Sequence, residues 1–192
     1  EVAYSILFSL PGIPIIYYGD EIGVTNNFEN AKESALIRSK NKIANLLSVF
    51  DSRDINRGKV SAKLFYGSSQ GFYKFNSQVY CKVHNLIQVR KSLPVMVDGD
   101  FELLQTKSKS NFSYLRKNKN KQILVINNLS KEKLYADITL PIDIILKNNG
   151  KINKLKNLIN GDNIKVNISL KNKTMHLRLS PYQILWLDVT PN

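Results

Sequence analysis

The sequence is poor in the residue types that most often carry chemistry on their own. It has one cysteine, Cys81, two histidines, His84 and His176, and one tryptophan, Trp186. A single cysteine excludes an internal disulfide and agrees with a reducing, cytoplasmic setting. Cys81 and His84 lie three residues apart and can share a helix face. A structural zinc site takes four ligands, however, and the other histidine is far along the chain. No metal and no cofactor is therefore expected, and both histidines read as structural. No glycine-rich phosphate loop occurs, and no Ser/His/Asp set sits in a recognisable context. Long apolar runs are missing too. The best is AYSILFSLPGIPIIYY (3–18), which is interrupted by Pro11, Gly12 and Pro14. A membrane span needs about 20 continuous apolar residues, and a signal peptide needs a basic flank that this run lacks. The run reads instead as a helix end followed by a buried strand, and a chain that opens this way is expected to be part of something longer.

Acidic residues are scarce: 15 Asp+Glu stand against 28 Lys+Arg, a net charge of +13. Such a balance can serve nucleic acid or an anionic membrane. Here the cations are mostly lysines interleaved with asparagine, as in KNKNK (117–121) and KNNGKINKLKN (147–157). Those runs fall where turns and strand edges are expected, and lysine there blunts exposed edges. No fingerprint of interleaved arginines and aromatics supports nucleic acid.

Along the chain the rhythm changes once. Residues 2–10 read as a helix end closed by Pro11-Gly12. IPIIYYG (13–19) is short and continuously apolar, as in strands buried on both faces. A polar loop follows, with a helical pattern over 29–49 that continues into a long loop through residue 60. The stripe Phe75, Val79, Val83, Leu86, Ile87, Leu93 predicts a core-packed helix over 74–93, ended by Pro94. After it the period becomes two. Phe112/Tyr114 and Ile123/Val125 flank a Lys/Asn turn, and Leu134–Leu140 alternates loosely. Ile164–Leu170 and Met175–Leu179 read as one antiparallel hairpin with a wet face. From about residue 96 the chain is expected to be all-β, with six to eight short strands.

Three segments, in this order, resemble glycoside hydrolase family 13, the α-amylase family. LPGIPIIYYGDEIG (10–23) is similar to the family's last barrel strand and its loop. FDSRDINRG (50–58) resembles the D-x-R…R element of the next long loop. NLIQVRKSLPVMVDGDFELL (85–104) looks like the final barrel helix and its passage into the C-terminal domain. VINNLS (125–130) and LSPYQILWL (179–187) look like strands of that domain. The nearest branches are the α-glucosidases, trehalose synthases and amylosucrases, although KVSAKLFYG (59–67) stands where those branches carry a tryptophan. The resemblance implies an incomplete C-terminal end of a (β/α)8 TIM barrel over 1–95 and an antiparallel β-sandwich domain over 96–192.

The family's chemistry is retaining cleavage or transfer of an α-glucosidic bond, which needs two carboxylates about 5–5.5 Å apart. In the family, the nucleophile, the acid/base and the third, transition-state-stabilising aspartate lie on strands before the last one. No catalytic residue is therefore assigned in this chain, and the chain alone is expected to be inactive. Asp20 and Glu21 are adjacent, so their side chains start toward opposite faces; they read as loop anchors. Arg53 and Arg57 are the candidate substrate-binding residues. They are four apart, flanked by Asp51 and Asp54, and the resemblance puts their loop beside the sugar pocket. Each can bind sugar hydroxyls or brace a carboxylate. Tyr17, Tyr18, Phe65, Tyr66, Phe72 and Tyr73 could stack on sugar rings but read as core. The expected partners are an α-glucosidic oligosaccharide or disaccharide and the missing N-terminal barrel segment. The alternatives are a non-catalytic glycan-binding β-module and a basic nucleic-acid binder.

Overall fold

The computed structural model describes residues 1–40, 51–56, 58–147 and 154–190, apart from the side chains of 146 and 147. Two compact units are formed, Glu1–Ile15 with Lys82–Asn192, and Ile16–Cys81. The helical elements before the sheets are α1 (Val2–Ser9), a 3-10 turn Asp20–Ile22, α2 (Phe28–Ser39), a 3-10 turn Ser52–Asn56, α3 (Ala62–Ser69), α4 (Lys74–Ser92) and α5 (Val95–Asp98). Then come β1 (Asp100–Leu103), β2 (Asn111–Lys117), β3 (Gln122–Asn128), β4 (Leu134–Thr139) and α6 (Ile142–Lys147). The chain continues with β5 (Lys154–Lys156), β6 (Asn163–Lys165), β7 (Asn167–Ser169), β8 (Thr174–Leu179) and β9 (Ile184–Asp188). Among the described residues no helix is long and apolar enough to cross a membrane.

The larger unit is built on three antiparallel sheets, ordered β1-β2-β3-β9, β4-β8-β7 and β5-β6. β2 and β3 form the expected hairpin, with Tyr114 opposite Val125 and Leu115 opposite Leu124. Asn118 closes it: its backbone N–H donates to Lys121 O at 2.9 Å, and its side-chain oxygen accepts from Lys121 N at 2.9 Å. Short amide side chains reverse a chain in this way, which is why a Lys/Asn run makes a turn.

β3 lies between β2 and β9 and is buried from Ile123 to Asn128. Its alternate residues have different neighbours. Leu124 and Ile126, with Leu115, Leu185 and Leu187, share one core with Ala136, Ile138, Met175, Leu177 and Leu179 of the second sheet. On the other face, Asn127, Tyr114, Arg116 and Trp186 meet α1. Ser5 Oγ donates to Asn127 Oδ1 at 2.8 Å, Trp186 Nε1 donates to Ser5 Oγ at 3.0 Å, and Ser9 Oγ lies 2.5 Å from the Tyr114 hydroxyl. Burial raises the Tyr114 hydroxyl above its usual pKa, against the pull of Ser9, Arg116 and Asn127, and keeps it neutral. A strand covered on both faces needs apolar residues at successive positions, hence Ile-Leu-Val-Ile.

Two buried arginines finish α1. Arg90 Nη1 donates to Phe8 O at 2.6 Å and to Leu10 O at 3.2 Å, and its Nη2 donates to Gly12 O at 2.8 Å. Arg116 Nη1 donates to Ser9 O at 2.7 Å and its Nη2 to Gly99 O at 2.8 Å. The last carbonyls of a helix lack intrahelical partners and carry partial negative charge, so a guanidinium fork satisfies both needs.

The hairpin expected over Ile164–Leu179 forms only in part. β7 pairs with β8 through Asn167–Ser169, whereas Asn163–Lys165 pairs with β5. The run splits at buried Val166 into strands of two different sheets. Strict alternation says which residues share a face, not which neighbour supplies the hydrogen bonds.

This unit is expected to lose stability in acid. For Asp188, burial alone would raise the carboxyl; the Lys121 ammonium and the Thr190 hydroxyl and amide outweigh it and hold the pKa below the usual value. Asp137 is lowered by the His176 ring, at 2.6 Å, and then by Lys107. Carboxyls depressed on folding add stability above their unfolded pKa and lose it as pH falls through the folded one. The contribution of these two carboxyls should therefore be complete from neutral pH to about 4 and be lost below it. Urea unfolding between pH 7 and 2 checks this, and Asp188→Asn should flatten the acid limb.

The smaller unit holds α2, α3 and the two 3-10 turns. α2 ends at Ser39, and the expected helical pattern over 41–49 lies outside the described residues. α3 was not foreseen, although it carries a start signal. Ser61 is extended and its hydroxyl accepts from Leu64 N at 3.1 Å, an N-cap. Ser61→Ala is expected to cost about 1 kcal/mol, read as a lower urea midpoint at constant slope. In α4, Val83 and Leu86 are buried as expected, while Phe75 is exposed.

Candidate functional site

Residues 13–17 do not form a strand. Ile13 is 91% and Ile15 81% exposed, contrary to the buried strand that the sequence suggests. A strand exists only with neighbours to take its N–H and C=O groups, and none of the described residues pairs with this segment. Four of the six aromatics expected in the core, Tyr17, Tyr18, Tyr66 and Phe72, are exposed as well, and the Tyr17 and Tyr18 rings lie 4.6 Å apart.

The loop after this segment turns on two glycines. Gly19 (φ 90) and Gly23 (φ 66) flank the Asp20–Ile22 turn in the left-handed region, where side chains are disfavoured. Among the described residues the anchoring is by backbone and not by the carboxylates. Val24 N donates to Gly19 O at 2.9 Å, and Asn76 Nδ2 donates to Ile22 O at 2.7 Å. Asp20 is exposed, and the buried Glu21 Oε2 has no hydrogen-bond partner among the described residues.

The second turn carries Arg53. Its Nε donates to Asp51 Oδ1 at 2.9 Å and its Nη2 to Asp51 Oδ2 at 2.8 Å, a two-pronged fork. The Asp51 carboxylate, through this hydrogen bond first and its charge second, raises the Arg53 pKa. The Arg53 side chain remains 72% exposed. Asp54 is buried, and its carboxylate takes the Arg38 guanidinium. α2 ties down the same turn: Asn27 N donates to Ile55 O at 2.7 Å and Asn30 Nδ2 to Asp54 O at 2.8 Å. Arg57 lies outside the described residues. Arg53 and Asp51 thus form one oriented, solvent-facing pair on a braced turn. Among the described residues no group of three or more His, Cys, Asp or Glu side chains could hold a metal ion.

No family model matches the sequence. Among curated proteins, the chain is 30% identical over 171 residues to a glucan 1,6-alpha-glucosidase of Streptococcus pneumoniae serotype 4, covering 72% of this chain and 31% of that protein. It is 28% identical over 158 residues to a probable oligo-1,6-glucosidase 3 of Bacillus subtilis, covering 66% of this chain and 28% of the relative. Among solved structures, trehalose-6-phosphate hydrolase of Bacillus licheniformis shares the fold with a TM-score of 0.60 at 21% identity, over 97% of this chain and 38% of that one. An Anoxybacillus alpha-amylase does so with a TM-score of 0.62 at 19% identity, over 100% of this chain and 32% of that one. These neighbours are members of glycoside hydrolase family 13, the α-amylase family. The chain spans about a third of the length of the curated relatives it matches.

Of the segments that resemble family 13, 10–23 holds the unpaired apolar residues and the glycine-flanked turn, and 50–58 holds the Arg53 fork. The segment 85–104 holds Arg90, whose role escaped the sequence reading. Arginine buried at a helix end carries no local signature, because its acceptors, Phe8, Leu10 and Gly12, lie about 80 residues away.

Proposed function

We propose that this chain is the C-terminal part of a family 13 enzyme that hydrolyses or transfers α-glucosidic bonds in a disaccharide or oligosaccharide. In this reading residues 1–95 complete a (β/α)8 barrel and residues 96–192 form its C-terminal antiparallel domain. The observation that carries it is the match to the glucan 1,6-alpha-glucosidase over most of this chain. The exposed isoleucines of 13–15 support it: burying a large aliphatic side chain is worth about 1.5–3 kcal/mol, and a barrel strand beside them would supply that burial.

The catalytic carboxylates then belong to an upstream segment, and the chain alone is inactive. Arg53, held by Asp51 with its outer face open, and Arg57 in the same loop handle the substrate. A single cysteine fits a cytoplasmic setting. The test is glucose release from α-1,6- and α-1,4-linked glucose disaccharides, with and without an upstream barrel segment.

A further inference from the structure

The β8–β9 turn, the residues after β5 and the side of α4 enclose a cleft of about 510 Å³, within the range of small-molecule sites. Its lining is unusual for this chain. The sequence has 28 Lys+Arg, yet none of them lines the cleft. The polar wall is made of the amides Asn85, Asn157, Asn160 and Gln183, with the acidic residues Asp162 and Glu1 beside them; the Glu1 carboxylate already accepts from Lys82 Nζ at 2.6 Å.

The amides hold one another. Asn157 Nδ2 donates to Asn160 Oδ1 at 2.8 Å, and Asn160 Nδ2 donates to Asp162 Oδ2 at 2.6 Å. Asn85 Nδ2 donates to Ile159 O at 2.9 Å, and Gln183 Oε1 accepts from Ser180 N at 2.7 Å. These bonds fix the orientations before any ligand arrives and leave Asp162 Oδ1 and the Gln183 amide nitrogen as an acceptor and a donor.

Tyr182 lines the same cleft and is 54% exposed. Its φ is 52°, in the left-handed region. The turn is closed by Gln183 N to Ser180 O at 3.1 Å, with Pro181 second and Tyr182 third. A proline followed by a left-handed residue is the type II pattern, whose third position favours glycine. A tyrosine there accepts backbone strain without gaining burial for its ring.

We infer that this cleft is a second, non-catalytic site for a neutral sugar: the Tyr182 ring carries the C–H face of a hexose, and Asp162 and the neighbouring amides take its hydroxyls. An aromatic face beside neutral amides and the Asp162 carboxylate matches a polyhydroxyl ligand; Glu1 is occupied by Lys82, and a lining without lysine or arginine disfavours phosphates and nucleic acid. The proposed function enters only in the choice of an α-glucan as probe, and binding is measured without turnover, so either reading can fail alone.

The experiment titrates the full chain with maltotriose and isomaltotriose by NMR and calorimetry, with inorganic phosphate as a further probe. Saturable binding of a trisaccharide is expected. Tyr182→Gly should weaken it by at least about tenfold, or 1.4 kcal/mol, while thermal stability stays equal or rises because glycine suits the turn. Asp162→Asn should weaken it as well. The inference is overturned if neither trisaccharide saturates, if Tyr182→Gly binds like the parent, or if phosphate binds in preference to sugar.

Discussion

Joined behind the part of the Streptococcus pneumoniae glucan 1,6-alpha-glucosidase that its match leaves uncovered, the chain is expected to release glucose from an α-linked disaccharide at least about a hundredfold faster than it does alone. Retaining cleavage needs two carboxylates about 5–5.5 Å apart, one of them protonated at working pH. The loop carboxylates of this chain do not offer that pair. Asp20 and Glu21 are consecutive residues of one 3-10 turn, Asp51 sits in the Arg53 fork, and Asp54 is buried against Arg38. In the fused protein, Arg53→Ala and Arg57→Ala should raise KM with little change in the thermal midpoint. Turnover by the chain alone that Asp20→Asn or Glu21→Gln abolishes would overturn the reading. So would a fusion that unfolds cooperatively, keeps the relative's carboxylates and still releases no glucose.

Arg116→Leu is expected to destabilise the larger unit by about 3 kcal/mol. Arg116 is fully buried and has no carboxylate partner among its hydrogen bonds; it donates to the carbonyls of Ser9 and Gly99. Burial first, and the charge of Arg90 second, pulls its pKa below the ordinary value, the mark of a charge placed at a cost. Each charged hydrogen bond is worth about 1.5–3 kcal/mol, and a carbonyl left without a donor costs about 1–3 kcal/mol. Leucine avoids the desolvation of the guanidinium and recovers some apolar contact, so the net loss is about half the gross sum. Arg116→Lys should fall between the two, because one ammonium cannot span both carbonyls as the fork does. Urea unfolding at pH 7 measures it. A change under about 0.5 kcal/mol would mean that water or Arg90 replaces the donor.

Much of the local structure was legible because its cause is local. Pro11-Gly12 stops α1, Pro94 ends α4, Asn118 turns β2 into β3, and alternation marks Met175–Leu179 as a strand. The family resemblance was legible for a related reason: LPGIPIIYYGDEIG and FDSRDINRG are short runs that need no tertiary information to read. The fork between Arg53 and Asp51 was open to inference as a brace, since the two residues lie two apart. Ser61 as the cap of α3 is a local signal of the same kind, in a stretch to which the sequence reading assigns no element.

What the sequence by itself determined are the features set by neighbours in the chain: turn chemistry, helix ends, the change of period near residue 96, and a charge balance carried by lysine. The tertiary structure alone decided the features that depend on distant partners. It divided 163–169 between two sheets, because face and partner are separate choices. It left Ile13 and Ile15 exposed, because an apolar run becomes a buried strand only when other strands lie beside it. It brought Arg90 and Arg116 to the end of α1, and Tyr182, Asp162 and Asn85 to one cleft, across separations that no periodicity records.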